Sequence, residues 1–324
     1  MRAAIIAFSM YSRIPMPMFE WKEEDMKYAM CFFPAIGAVI GAVFFGMYLL
    51  LDRILTGKIL AAGILLAVPL FITGGIHMDG FMDTCDARAS YGDREKKLGI
   101  LKDTHTGAFA VIFGGLYLIL CAAACTELDE GSALLTAIGF ILSRALSGLS
   151  TATFPEARKH GMLADFMKDA RKKTVAVCML VIFFLTAFLE LLFGGICGGV
   201  VVITTVLIFL WYRHMAVQEF GGIGGIILSA SILIFFYYRH MAVKEFGGVT
   251  GDLAGFFLQI CELGILLAAV IGKAGFLVKL LLIRHGATPG NLEKRYVGRT
   301  DESLTQESLE TLGKEAKKIR KLAG

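Results

Sequence analysis

The chain has 324 residues, of which 56% are hydrophobic and 19% charged, with a mean hydropathy of +0.68. So many apolar runs in so short a chain leave too little polar surface for an ordinary soluble domain. The formal net charge of +4 says little by itself, and the seven cysteines, mostly inside apolar runs and without Cys-x-x-Cys pairing, exclude a disulfide framework.

In chain order, the first segment carries Arg2, an apolar stretch and then Tyr11-Ser-Arg-Ile-Pro. It has the outline of a signal peptide but lacks a small-residue cleavage site and meets Arg13 and Pro15 too early. An interfacial or re-entrant helix is expected there. Apolar runs of spanning or near-spanning length follow at about 31–51, 58–73, 106–125, 132–150, 174–194, 196–211, 222–237 and 253–272. The expected fold class is therefore an all-α polytopic membrane protein with roughly seven or eight transmembrane helices, its membrane domain covering 1–272. After Gly272-Lys-Ala-Gly-Phe the composition changes, and 277–324 reads as a short soluble α/β-type C-terminal fragment.

The distribution of charge orients the chain. Segment 126–131 carries Glu127, Asp129 and Glu130 without a Lys or Arg, whereas 154–173 carries Arg158, Lys159, Lys168, Arg171, Lys172 and Lys173. The loop over 76–105 holds Arg88, Arg94, Lys96, Lys97 and Lys102. By the positive-inside rule both basic loops are cytoplasmic, and Arg2, Arg13, Lys22 and Lys27 place the N-terminus on the same side.

The stretch richest in chemistry is Gly74-Gly-Ile-His-Met-Asp-Gly-Phe-Met-Asp-Thr-Cys-Asp, with Leu101-Lys-Asp-Thr-His-Thr-Gly after it. Asp79, Asp83 and Asp86 stand at spacings of four and three, so a helix puts all three carboxylates on one face. Stacked like charges repel unless a cation sits among them, and oxygen-only ligation suits Mg²⁺. A solvated acidic face is the bland alternative; it fits poorly in a chain this poor in charge, between two membrane segments. Arg144 lies inside an apolar run, where a charge is expensive and commonly functional. Glu190 and Glu262 are also embedded, and Glu262 is a candidate packing partner.

A direct repeat follows. Tyr212-Arg-His-Met-Ala-Val-Gln-Glu-Phe-Gly-Gly recurs 26 residues later as Tyr238-Arg-His-Met-Ala-Val-Lys-Glu-Phe-Gly-Gly. Two copies do not make a solenoid. Only the second continues Val-Thr-Gly-Asp, ending at Asp252. If 223–237 span the membrane, Asp252 falls on the face opposite Asp79; if they form a hairpin, it returns to the Asp79 side. A run of about 15 residues is short for a span, which favours the hairpin.

The Gly74–Asp86 motif, the Ile100-Leu-Lys-Asp-Thr-His-Thr-Gly-Ala-Phe stretch and Gly247-Gly-Val-Thr-Gly-Asp together resemble the cobalamin synthase family of adenosylcobinamide-GDP ribazoletransferases. Ser12-Arg-Ile-Pro-Met-Pro and Ser143-Arg144 are similar to that family as well, and the resemblance covers roughly 1–272. It implies a multi-pass enzyme of the prokaryotic cytoplasmic (inner) membrane, dependent on Mg²⁺, with its active site facing the cytoplasm. The implied reaction joins α-ribazole, or its 5′-phosphate, to adenosylcobinamide-GDP and releases GMP. The implied partners are those two substrates, membrane lipid and other corrinoid-assembly enzymes; no nucleic acid is expected.

Phosphoryl transfer from a diphosphate needs metal to neutralise oxygens, cations to hold the leaving phosphate and a group to take the hydroxyl proton. Asp79, Asp83 and Asp86 are the expected metal ligands. Asp79 and Asp83, with Lys102 and His105, are the expected catalytic set. Gly74, Gly75, His77, Arg94, Asp103, Arg144, Thr250 and Asp252 are the expected substrate-binding set, with His77, His105 or Asp103 as proton acceptor. Arg88 is a further candidate clamp, while Lys96 and Lys97 read as positive-inside anchors.

The tail, Leu282-Ile-Arg-His-Gly-Ala-Thr-Pro-Gly-Asn with Arg295-Tyr-Val-Gly-Arg-Thr-Asp and Leu304-Thr, resembles the start of the histidine phosphatase family. That resemblance implies a phosphorylated His285 and a phosphate-binding Arg284. About 45 residues are too few to bury a domain core, so a truncated, inactive phosphatase is expected. Ser308 stands where that family has Gly.

Two other classes share some of these features. A CDP-alcohol phosphotransferase also places spaced aspartates on a membrane helix, but the Ala-Arg expected after its Asp-Gly is missing here. An ion-coupled transporter uses embedded carboxylates, but its repeats are long and commonly inverted.

Overall fold

The computed structural model describes residues 2–103, 105–157, 162–168, 170–194, 223–273 and Gln306. The chain divides into two compact units, Met1–Phe276 and Leu277–Gly324. The α/β-type fragment expected over 277–324 lies, Gln306 apart, outside the described residues.

The first unit opens with a short apolar helix α1 (Arg2–Tyr11), then α2 (Glu23–Met26) and a 3-10 turn at Ala29–Phe32. It continues with α3 (Phe33–Ile54), α4 (Lys58–Thr73), α5 (Ile76–Ala89) and α6 (Arg94–Ile100). Next come α7 (Ala108–Thr126), α8 (Glu130–Thr153), α9 (Met162–Lys168) and α10 (Lys172–Gly194). Then follow α11 (Ile223–Met241), a π-turn at Ala242–Phe246 and α12 (Gly251–Lys273). No strand occurs among the described residues; Glu156 and Val249 form an isolated parallel bridge.

Helix α8 is the hub. Its apolar window is 83% buried, against 33% for α7 and 28% for α10. Its start is fixed by a capping box, in which the Ser132 N–H donates to Asp129 and the Asp129 N–H donates back to the Ser132 hydroxyl. Helix α3 packs on it through Gly37 and Gly41, where a Cβ would come within 2.3 Å of the carbonyl oxygens of Phe140 and Ala137. Small residues four apart allow such close backbone approach in membrane helices. On the outside, α7 exposes Phe113 and Ile119, and α10 exposes Val181, Phe184 and Phe188. Such a surface fits hydrocarbon and not water.

Among the described residues five helices are long and apolar enough to cross a membrane: Glu24–Ile54, Ala108–Thr126, Glu130–Thr153, Lys172–Phe193 and Gly251–Ile271. The chain is thus an all-α, multi-pass membrane protein. Run 58–73 is not a span of its own: with α5 it forms a pair bent by 94° that counts at most as a sixth crossing. Run 196–211 lies outside the described residues, as does the first repeat copy over 212–222.

The hairpin expected over 223–237 is absent, because these residues belong to the uninterrupted helix α11. Asp252 nevertheless reaches the Asp79 side. The chain reverses at the left-handed Gly247 after the π-turn, and α12 packs back along α11 with Tyr238 and Phe257 ring centroids 4.9 Å apart.

Candidate active site

The bend between α4 and α5 builds the first wall. Gly74 and Gly75 both adopt left-handed backbone, with φ of +65° and +78°, which a side chain would strain. Two such residues in succession end α4 and start α5 in a new direction. Helix α5 then presents His77, Asp79 and Asp83 in order, with Asp79 and Asp83 four residues apart on one face.

Helix α12 supplies the second wall. The Thr250 hydroxyl accepts the Leu253 N–H at 3.2 Å and so caps the first turn, which carries Asp252. Gly80 and Gly255 let the helices touch: a Cβ on Gly80 would meet the Asp252 backbone, and one on Gly255 would lie 2.9 Å from the His77 carbonyl oxygen. Asp79 and Asp252 thus each sit in the first turn of a helix, where the macrodipole favours a carboxylate.

A backbone clip fixes the turn before α12. The Val249 N–H donates to the Pro155 carbonyl at 2.9 Å, and the Ala157 N–H donates to the Val249 carbonyl at 3.1 Å. This clip brings Glu156 to the site, where Lys172 pairs with it at 2.5 Å. The resulting cavity, of about 250 Å³, is lined by Tyr11, His77, Asp79, Glu156, Thr250 and Asp252, with apolar walls from Leu101, Leu163 and Met167. Desolvation pushes the Tyr11 hydroxyl above its usual range, so it stays protonated.

His77 is 5% exposed, and its Nε2 has no hydrogen-bond partner. The charge of Asp83 is opposed by those of Asp79, Asp252 and Asp86. Asp86 nonetheless stands apart. Its two oxygens accept the N–H groups of Gly107, at 2.6 Å, and Ala110, at 2.9 Å, so it caps α7. Seven residues along a helix are about 10 Å of rise, too far for Asp79 and Asp86 to share one ion even on the same face. Among the described residues no three His, Cys, Asp or Glu side chains surround a common point as a full protein cage would. Mg²⁺ does not require one: it is commonly held by one or two carboxylates together with substrate phosphates and water. Asp79 and Asp83, with Asp252 facing them, fit that mode; the three-aspartate set does not.

Other expected residues are placed elsewhere. Arg144 is wholly buried and pairs with Glu262 at 2.6 Å, so it forms a core ion pair between α8 and α12 and is not among the residues lining the cavity. Arg94 donates to the Ala157 carbonyl at 3.2 Å and lies over Gly247, bracing the clip. Arg88 and Lys97 both pair with Glu245 of the π-turn. His105 and Asp103 bond to each other at 2.7 Å in an exposed loop, and Lys102 is exposed beside them. None of these three lines the cavity. Sequence reasoning missed Tyr11 and Glu156. The signal for Glu156 was an acid just after the end of an apolar run; for Tyr11 it was the adjoining Ser12-Arg13-Ile14-Pro15 motif.

Comparison with known proteins bears on this arrangement. The family described as Cobalamin-5-phosphate synthase matches residues 3–227 and 224–270, with the two segments meeting just past the first repeat copy. A second family, Histidine phosphatase superfamily (branch 1), matches residues 280–323. The adenosylcobinamide-GDP ribazoletransferase of Lachnoclostridium phytofermentans is 42% identical over 268 residues, covering 83% of this chain and 93% of the relative. That of Clostridium perfringens strain 13 is 32% identical over 273 residues, covering 83% and 98%. That of Pseudomonas savastanoi pv. phaseolicola is 29% identical over 259 residues, covering 77% and 90%. No solved structure matches. With over three quarters of the chain and nine tenths or more of these relatives in register, this chain belongs to the cobalamin-5-phosphate synthase family.

Proposed function

We propose that this chain is an adenosylcobinamide-GDP ribazoletransferase: it transfers the cobinamide phosphate moiety of adenosylcobinamide-GDP to α-ribazole or its 5′-phosphate and releases GMP. The observation that carries the reading is the cavity where Asp79 of α5 meets Asp252 of α12, with Asp83 close enough for its charge to be opposed by both. Two helix N-termini and clustered carboxylates suit a diphosphate bound with a divalent cation.

In this mechanism the acceptor hydroxyl attacks the phosphorus bonded to cobinamide. The bond from that phosphorus to the bridging oxygen breaks, and GMP leaves with the electron pair. His77 takes the hydroxyl proton, since its Nε2 lies unpartnered at the cavity wall. Asp79 and Asp83 would hold Mg²⁺, which when bound would offset the charge on the phosphate oxygens. Thr250 and the protonated Tyr11 supply hydrogen bonds. A cavity of about 250 Å³ admits the phosphates and part of a sugar, so the corrinoid ring stays outside.

The site faces the cytoplasm of a prokaryotic inner membrane in this reading, supported by the basic residues of 94–102 and 154–173. Lipid covers the outer faces of α7 and α10, and other corrinoid-assembly enzymes deliver and receive the intermediates. The test is GMP release by the purified chain from adenosylcobinamide-GDP, measured with and without α-ribazole. Acceptor-dependent release is expected; no release, with the donor intact, would overturn the reading.

A further inference from the structure

The carboxylate side of the cavity serves the phosphates, and its apolar side has so far had no task. That side comes mainly from α9, a helix of seven residues in the segment between α8 and α10. Leu163 and Met167, four residues apart on one helical face, line the cavity with Ala164 beside them. Leu101, just after α6, continues the wall. The helix is fixed from behind: Phe166 is buried and meets Tyr11 edge-on, with ring centroids 6.0 Å apart. Just beyond its end, the Arg171 N–H donates to the Lys27 carbonyl at 3.1 Å. Met167 and Leu101 are buried, whereas Leu163 and Ala164 are partly exposed, so the wall runs from the interior toward the opening.

Such a wall sorts ligands by the polar groups they would leave unpaired. Two aromatic bases enter the proposed reaction, the guanine of the donor and the benzimidazole of α-ribazole. Guanine carries N–H donors and a carbonyl along its edge, and pressing these against leucine and alanine is costly. The benzimidazole of a riboside has no N–H, and its far edge bears two methyl groups. The four wall residues offer it apolar contact, no side-chain donor, and a methionine sulfur that packs well on an aromatic ring. We propose that Leu101, Leu163, Ala164 and Met167 form the subsite for the aromatic base of the acceptor and so set the choice of acceptor. This rests on the transferase reading for the identity of the ligand. Wall and His77 belong to one cavity, so a base seated on the outer part of the wall keeps its ribose within reach of the proton acceptor.

The first experiment measures α-ribazole binding to the full chain in detergent by equilibrium dialysis. Saturable binding, displaced by free dimethylbenzimidazole and not by guanosine, is expected. Absence of binding, or guanosine displacing as well as dimethylbenzimidazole, overturns the subsite. Steady-state kinetics then test the residues. Leu163→Gln puts an amide on the wall, and Ala164→Leu fills the space before it without adding a polar group. Each should raise KM for α-ribazole at least ~10-fold and leave KM for adenosylcobinamide-GDP within about twofold, the scale on which an apolar pocket separates ligands that differ by one small group. Leu163→Met should restore most of what Leu163→Gln loses. Matching thermal unfolding of the variants guards against a folding defect. A raised KM for adenosylcobinamide-GDP with that for α-ribazole unchanged gives the wall to guanine and overturns the proposal, as do unchanged KM values in both variants. Dimethylbenzimidazole binding that depends on Leu163, in a chain that releases no GMP, would keep the base subsite and sink the transferase reading instead.

Discussion

A Cβ on Gly80 would lie 2.8 Å from both the Cα and the carbonyl oxygen of Asp252. The two helices that carry the carboxylates therefore touch at a residue without a side chain. Gly80→Ala should force them apart, at a cost of ~1–3 kcal/mol for overpacking. A shift of ~1 Å at a reacting centre can lower turnover by up to ~100-fold. We expect kcat to fall at least tenfold while the protein still inserts; GMP release at the wild-type rate would show that the contact does not set the site.

Asp79 and Asp86 are alike in sequence and should differ under mutation. Asp79→Asn or Asp83→Asn should lower GMP release by roughly 100-fold or more, the scale of several kcal/mol of lost charge stabilisation. Chelator should do the same to the wild type, and Mn²⁺ should restore part of the rate. Asp86→Ala removes the cap of α7 and should instead reduce stability by ~1–2 kcal/mol, read as a lower melting temperature in detergent. Equal kinetic effects at all three positions, at equal stability, would restore the three-ligand scheme.

The Arg144–Glu262 pair is fully buried between α8 and α12. Arg144→Leu alone leaves a buried carboxylate and should destabilise by ~3–5 kcal/mol, whereas Arg144→Leu with Glu262→Leu should recover most of that loss. Thermal unfolding of the two variants decides this. A double variant as unstable as the single one would mean that Arg144 has another buried task.

Glu245 gives a pH signature. Partial burial raises its carboxyl, but the hydrogen bond from Lys97 and the charges of Arg88 and Lys97 outweigh that and hold it below the usual value of 4.5. Its folded-state value is depressed, so the stabilisation is complete above the ordinary glutamate range and is lost as pH falls through the depressed value. Stability should therefore differ between wild type and Glu245→Gln at pH 6 and converge in acid below pH 4.5. A gap that widens in acid would contradict the pairing.

Every described residue lining the cavity lies between Tyr11 and Asp252, and 277–324 form a separate unit. Deleting 277–324 should leave ribazole transfer within about twofold of the full chain. The chain as given should show no phosphatase activity on α-ribazole phosphate, and His285→Ala should change nothing. Phosphatase turnover abolished by His285→Ala would overturn this expectation.

The spans were legible because length and apolarity are local properties of sequence. So was the pairing of Asp79 with Asp83, since four residues on a helix fix a face. The fate of Asp86 was not: the face was read correctly, but rise along the axis separates Asp86 from Asp79, and its partners are N–H groups of another helix. Arg144 presented the same difficulty. A charge in an apolar run reads as functional; Glu262, 118 residues away, was only one embedded acid among two, and the packing of α8 on α12 is what makes it the partner. The side on which Asp252 lies was undecided because a chain of uncertain crossings gives no reliable parity.

The clip between 155–157 and Val249 bears on how this chain tolerates its repeat. Asp252 is located by contacts made after the second copy, to Pro155, Ala157 and Gly80, and not by the length of polypeptide leading to it. An additional 26 residues upstream therefore change the route to the site without changing its address. A copy in this stretch can therefore differ, as Gly221-Gly-Ile-Gly-Gly does, without moving the residues that the clip holds.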